Sequence, residues 1–188
     1  MCEFPSRSHQ KEEKTMANED EDPGGRSGRG IVFFSRDDAV SLDDSKMMTP
    51  ATIAPEVYRN IDLTPIAAGS RTMALFQGEG PDGFSLVTAS MKPGYRLPRH
   101  THTGDCLYLV TKGSVLVGRR EVTEGSGFLV KSGQPYAYSV GDQGAEVVEF
   151  RATTSFDMQI LDQTVERWKP IVDVAVANQE LWSSDLPQ

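Results

Sequence analysis

Between Arg71 and Arg151 the chain is a succession of short apolar runs separated by glycine, proline and aspartate, and this punctuation limits the fold more than any other feature. The runs are Thr72–Phe76, Phe84–Met91, Cys106–Thr111, Ser114–Val117, Gly127–Val130, Tyr136–Val140 and Ala145–Phe150. No long helical period joins them. Many short strands at regular spacing predict an antiparallel sandwich or barrel. Lys112-Gly113, Gly118-Arg119 and the stretch Gly141–Gly144 read as breaks between strands, and Arg119-Arg120 as a hairpin tip. The glycines at 78, 80 and 83 match a dinucleotide-loop spacing. That loop requires a strand before it and a helix after it, whereas here strand-like runs flank both sides, so a hairpin loop is expected.

The flanks differ in composition. Residues 1–30 carry acidic and basic runs and the glycine-rich stretch Pro23–Gly30, which bury too little apolar area to offset ordering, so a disordered polar tail is expected. Residues 31–70 form an arm packed on the barrel with one or two short strands, and 71–155 form the barrel. Residues 156–188 form a helical segment, with Val165, Trp168, Ile171, Val172, Ala175 and Leu181 on one face at helical period. Pro170 would start or kink that helix.

The 188 residues carry a formal net charge of -8, which repels phosphate backbones and argues against nucleic acid as a partner. No apolar run approaches the roughly 18–20 residues that span a bilayer. With no signal-peptide pattern at the N-terminus, a cytoplasmic protein is expected. Cys2 and Cys106 lie far apart, so Cys106 is expected to be a free thiol.

The segment Gly94–Gly113 contains a glycine, five residues, His100-Thr-His102, three residues, Cys106, six residues and a second glycine. It resembles the first sequence motif of the cupin superfamily at every spacing, with Cys106 where the motif has glutamate. The segment Gly125–Tyr136 resembles the second motif, with Lys131 at its proline position and Tyr136 at its histidine position. The resemblance covers under half of the chain. It implies a mainly β fold, an antiparallel double-stranded β-helix (jelly-roll-like) barrel with an N-terminal arm and a C-terminal helix. It also implies a homodimer, with the arm and the helix as interface elements.

Histidines two apart on a strand point to one face, so His100 and His102 can aim at one point inside a barrel. The family's usual site is three histidines and a carboxylate around a metal ion. By that resemblance the metal ligands here are His100, His102, Cys106 and Tyr136, holding one divalent ion per chain: iron first, with zinc, manganese, nickel or copper as alternatives. The only other histidine, His9, lies in the tail. Tyr108 and Tyr138 share the alternation phase of Cys106 and Tyr136, which makes Tyr108, Tyr136 and Tyr138 the candidate catalytic groups. Arg96, Arg99 and Arg151 are candidates to anchor an anionic substrate, with a plain surface role as the alternative. Three functions follow from the resemblance. The first is a metal-dependent, dioxygenase-like oxidoreductase acting on a small molecule inside the barrel. The second is a lyase or isomerase with a tyrosine base, and the third is a non-catalytic binding or sensing module.

Overall fold

The computed structural model describes residues 30–80 and 82–183, so the expected tail lies, but for Gly30, outside the described residues. The arm carries β1 (Val40–Ser41), α1 (Leu42–Ser45), β2 (Met48–Thr49), α2 (Pro55–Asn60) and α3 (Thr64–Ala67). Next come β3 (Ser70–Gln77), β4 (Ser85–Met91), β5 (His100–Thr101), β6 (Cys106–Val117), β7 (Arg120–Thr123), β8 (Gly127–Val130) and β9 (Tyr138–Arg151). The chain ends in β10 (Phe156–Asp157), β11 (Gln159–Ile160) and α4 (Val165–Ala177). The main sheet runs β1-β3-β4-β9-β6-β7, with β8 also paired to β6. Two small sheets, β2 with β10 and β5 with β11, and isolated bridges from Arg96 to Ser139 and from His100 to Tyr136 make the opposing layer. The architecture is mainly β and antiparallel, as expected, although the main sheet does not close on itself.

Two of the expected breaks are bends inside continuous strands. Along β6 the buried residues are Cys106, Tyr108 and Val110, then Val115, so the inward phase shifts by one residue in between. Along β9 they are Tyr138 and Val140, then Ala145, Val147 and Arg151, with the same shift. Gly113 and Gly144, with φ of 70° and 75°, sit at these shifts; Gly113 pairs with Ala145 across the β6–β9 ladder and packs against the carbonyl of Gly144. A bulge at a left-handed glycine lengthens and bends a strand without ending its pairing. The punctuation there therefore marks a corner at which both strands turn together, and each strand lines the interior along its whole length.

The central core holds Tyr108, Val110, Val115, Tyr136, Tyr138, Val140 and Val147. In α4, Trp168, Ile171, Val172 and Ala175 are buried as the helical period predicts, whereas Leu181 is exposed and Trp182 takes the buried place beyond the helix. Pro170 lies inside the helix rather than at its start. Trp168 is tied in by an Nε1–H bond to the carbonyl of Asp162 at 2.6 Å. No helix among the described residues is long and apolar enough to cross a membrane.

A Cβ on Gly113 would sit 2.0 Å from the carbonyl oxygen of Gly144, while one on Gly118, which also has positive φ, meets nothing within 4 Å. Gly118→Ala is therefore expected to cost only the left-handed backbone strain, about 1 kcal/mol. Gly113→Ala adds a clash with backbone and should cost about 3 kcal/mol or more. Urea denaturation of the two variants beside the parent checks the difference, and equal losses would contradict the corner.

Candidate functional site

A cavity of about 270 Å³ lies between the two layers. Its apolar wall is drawn from both flanks as well as the barrel: Leu42 and Met48 from the arm, Ile66 from α3 and Trp168 from α4. Its polar wall includes His102, Tyr108, Tyr136, Tyr138, Glu149 and Arg151.

Backbone pairing delivers the histidines and Tyr136 to one place. His100 N–H donates to the Tyr136 carbonyl and Tyr136 N–H donates to the His100 carbonyl, both at 3.0 Å. On the other edge His100 pairs with Ile160 of β11. The turn before Tyr136 is fastened by a Lys131–Asp105 ion pair and by Ser132 N–H donating to Asp105 Oδ1 at 2.8 Å. Lys131, at the motif's proline position, thus holds this turn through a charge.

A carbonyl oxygen can only accept, which settles both imidazole tautomers. His100 Nδ1–H donates to the Pro98 carbonyl at 2.8 Å, and His102 Nδ1–H donates to the Asp157 carbonyl. Each ring therefore keeps its lone pair on Nε2. His102 Nε2 lies 3.1 Å from the Tyr136 hydroxyl, which donates to it, and Tyr136 in turn accepts from the Tyr108 hydroxyl. The result is a directed chain, Tyr108 to Tyr136 to His102. Burial lowers the pKa of His100 to about 4 and that of His102 below its ordinary value, so both imidazoles are neutral near pH 7. Burial raises the Tyr108, Tyr136 and Tyr138 phenols well above their ordinary value and pushes the Cys106 thiol up to about 12.

Of the expected site residues, His102, Tyr108, Tyr136 and Tyr138 line the cavity. His100 packs on the Tyr136 ring, with centroids 4.2 Å apart, and Cys106 is buried in the core cluster; neither belongs to the cavity wall. Tyr138 is outside the hydroxyl chain and donates to the Met91 sulfur at 3.5 Å. Two neutral imidazoles with Nε2 lone pairs would suit a metal, and the backbone carbonyls on Nδ1 are the kind of outer contact that orients such ligands. The remaining donors do not complete a shell. The Tyr136 hydroxyl already occupies His102 Nε2, Cys106 lies outside the cavity wall, and Glu149 is paired with Arg151 at 2.6 Å. Among the described residues no group of three or more His, Cys, Asp or Glu side chains is placed to hold a metal ion. These residues do not fit a resident metal.

Glu149 and Arg151 are the cavity residues that motif reading underweights. Arg151 is 2% exposed, which rules out the surface role, and its guanidinium stacks on Phe156 at 3.8 Å. Their signal was present in the alternation: Ala145, Val147, Glu149 and Arg151 share one phase, and charges on a strand's inward phase mark a site. Arg96 and Arg99 do not line this cavity.

No protein-family profile matches the chain, and no curated protein does. Solved structures are similar to it. The polyketide cyclase RemF from Streptomyces resistomycificus aligns with a TM-score of 0.50 and 14% identity, over 74% of this chain and 92% of that one. A protein of unknown function with a cupin-like fold from Ralstonia eutropha aligns at 0.42 and 22% identity, over 60% and 75%. A cupin superfamily protein from Desulfitobacterium hafniense aligns at 0.39 and 18% identity, over 46% and 77%.

The buried imidazoles make stability depend on pH. His100 binds a proton near its ordinary 6.5 when unfolded but only near 4 when folded, so between these values the unfolded chain holds more protons. Stability is then full above about pH 6.5 and falls as pH drops toward 4, by about 3 kcal/mol for His100 alone. His102 adds to the loss with the same sign. Carboxylates held low by partners, such as Asp105 and Asp157 with an ordinary value of 3.8, act at lower pH. Urea midpoints at pH 7.5, 5.5 and 4.5 should fall for the parent and fall less for His100→Gln; parallel slopes would contradict the assignment.

Proposed function

We propose that this chain, which has the cupin fold, acts on a small molecule in its cavity by moving a proton, in the manner of a lyase or isomerase. The observation that carries the reading is the directed hydroxyl chain from Tyr108 through Tyr136 to the neutral Nε2 of His102, built into a largely apolar cavity.

Its parts divide the work. The Tyr136 phenol does not ionise by itself, because burial penalises the phenolate. It can still take a proton from substrate at Oη while passing its own to His102 Nε2. Tyr108 O–H, donating to the same oxygen, stabilises negative charge that develops there. The imidazolium that forms is costly in this site, since burial disfavours it, so the proton is readily returned to product. Such a cycle has no net redox change, as isomerisation and elimination require. A dioxygenase, the first implication of the family resemblance, would need a metal that these donors do not complete.

Tyr136→Phe removes the relay atom and keeps the ring. Turnover found in a substrate screen should fall by about 10²–10⁴-fold in this variant. It should persist in chelator and consume no O₂. Elemental analysis of untagged protein should show well under one metal per chain. About one metal per chain, lost in His100→Ala/His102→Ala, together with O₂ uptake, would replace this reading with the metal-dependent one. A ligand that raises thermal stability without yielding product would instead make the chain a binder.

A further inference from the structure

Among the described residues five buried side-chain polar atoms have no hydrogen-bond partner: besides Thr88 Oγ1 and Thr101 Oγ1, the other three belong to the neighbours Arg151 and Ser85. Arg151 donates to Glu149 through Nη2, but its Nε and Nη1 have no hydrogen-bond partner although they are buried. Directly opposite on the neighbouring strand stands Ser85, fully buried, with its Oγ also unpartnered. A guanidinium is permanently charged and has five N–H donors in a fixed plane. Buried donors of this kind are ordinarily paired, because unmet ones forfeit the hydrogen bonds they had in water. Phe156 covers one face of the guanidinium, so partners must approach in its plane, and the donors left over are those that do not serve Glu149.

The other groups of the wall cannot serve as that partner. The Tyr108 and Tyr136 hydroxyls are committed to each other and to His102. The rest of the cavity is mainly aliphatic and aromatic, including Leu97, Met158 and Trp168. A ligand matched to these features has an apolar body and one compact group rich in acceptor oxygens.

We propose that Arg151 is the anchor of a carboxylate-binding subsite in this cavity, so that the ligands of the chain are small apolar carboxylic acids. The inference rests on the reading of the cavity as a small-molecule site. The carboxylate takes N–H donors on the side of Arg151 away from Glu149. The body of the ligand then lies along the apolar wall toward Tyr136. Charge-assisted bonds to an arginine in a dry site should favour the acid over its neutral amide by at least about tenfold in affinity.

Benzoate is the probe, with benzamide and benzyl alcohol as neutral analogues of similar shape. Calorimetry on the full chain at pH 7 should give benzoate an affinity at least about tenfold above both. Benzoate should also shift the Arg151 Nε–H resonance, which benzyl alcohol should leave in place. Because Arg151→Met alone strands Glu149 in the interior, the variant is Arg151→Met/Glu149→Gln, which removes both charges. It should lose the preference for benzoate over benzamide. Equal affinity for benzoate and benzamide, or an unmoved Arg151 resonance, overturns the anchor and leaves the cavity standing as a small-molecule site. Failure of all three probes to bind overturns the anchor and the small-molecule reading together.

Discussion

The backbones of Gly113 and Gly144 approach so closely at the corner of β6 and β9 that no side chain fits between them. The rest of the architecture depends on that approach. It lets the two longest strands bend together and stay paired on both sides of the bend, from Leu107–Phe150 at one end to Val117–Tyr138 at the other. One strand pair can then supply Tyr108 and Arg151 near one end and Tyr138 near the other, all directed inward. Four shorter strands joined by turns would have left the two halves free to choose separate registers. A slip of one residue turns every inward group outward.

A second constraint is electrostatic. The interior contains two histidines, four tyrosines (Tyr95, Tyr108, Tyr136 and Tyr138) and a cysteine, all of which burial holds in their neutral forms. One full charge pair, Arg151 with Glu149, stands among them. A buried pair is held by hydrogen bonds and mutual attraction against the loss of hydration, and removing one member exposes the cost of the other. With the histidines neutral and their Nδ1 atoms occupied by backbone carbonyls, the hydroxyl chain has a single donor direction.

Much of this was legible from residues alone. The strand punctuation gives the fold class, the two-residue spacing places His100 and His102 on one face, and the alternation sends Tyr108, Tyr136 and Tyr138 inward. The continuity of β6 and β9 was hidden because a glycine that bends a strand and a glycine that ends one look the same without the partner strand. The imidazole tautomers were hidden for a different reason. They are set by the carbonyls of Pro98 and Asp157, and a backbone carbonyl leaves no trace in residue identity. Glu149 and Arg151 stand outside both motifs, and only the inward phase of their strand distinguishes them from surface charges.

The two departures from the motif act in one direction. A glutamate at position 106 would bring a carboxylate into the interior, and a histidine at 136 a third ring nitrogen. Cysteine and tyrosine bring groups that stay protonated there. The hydroxyl of Tyr136 also reaches the lone pair that a metal would use on His102. The same two substitutions that remove ligands therefore install a donor on the remaining imidazole. The charge pair among these neutral groups is Arg151 with Glu149. In such an interior the open polar positions are the guanidinium's remaining donors and the hydroxyl shared by tyrosine and imidazole.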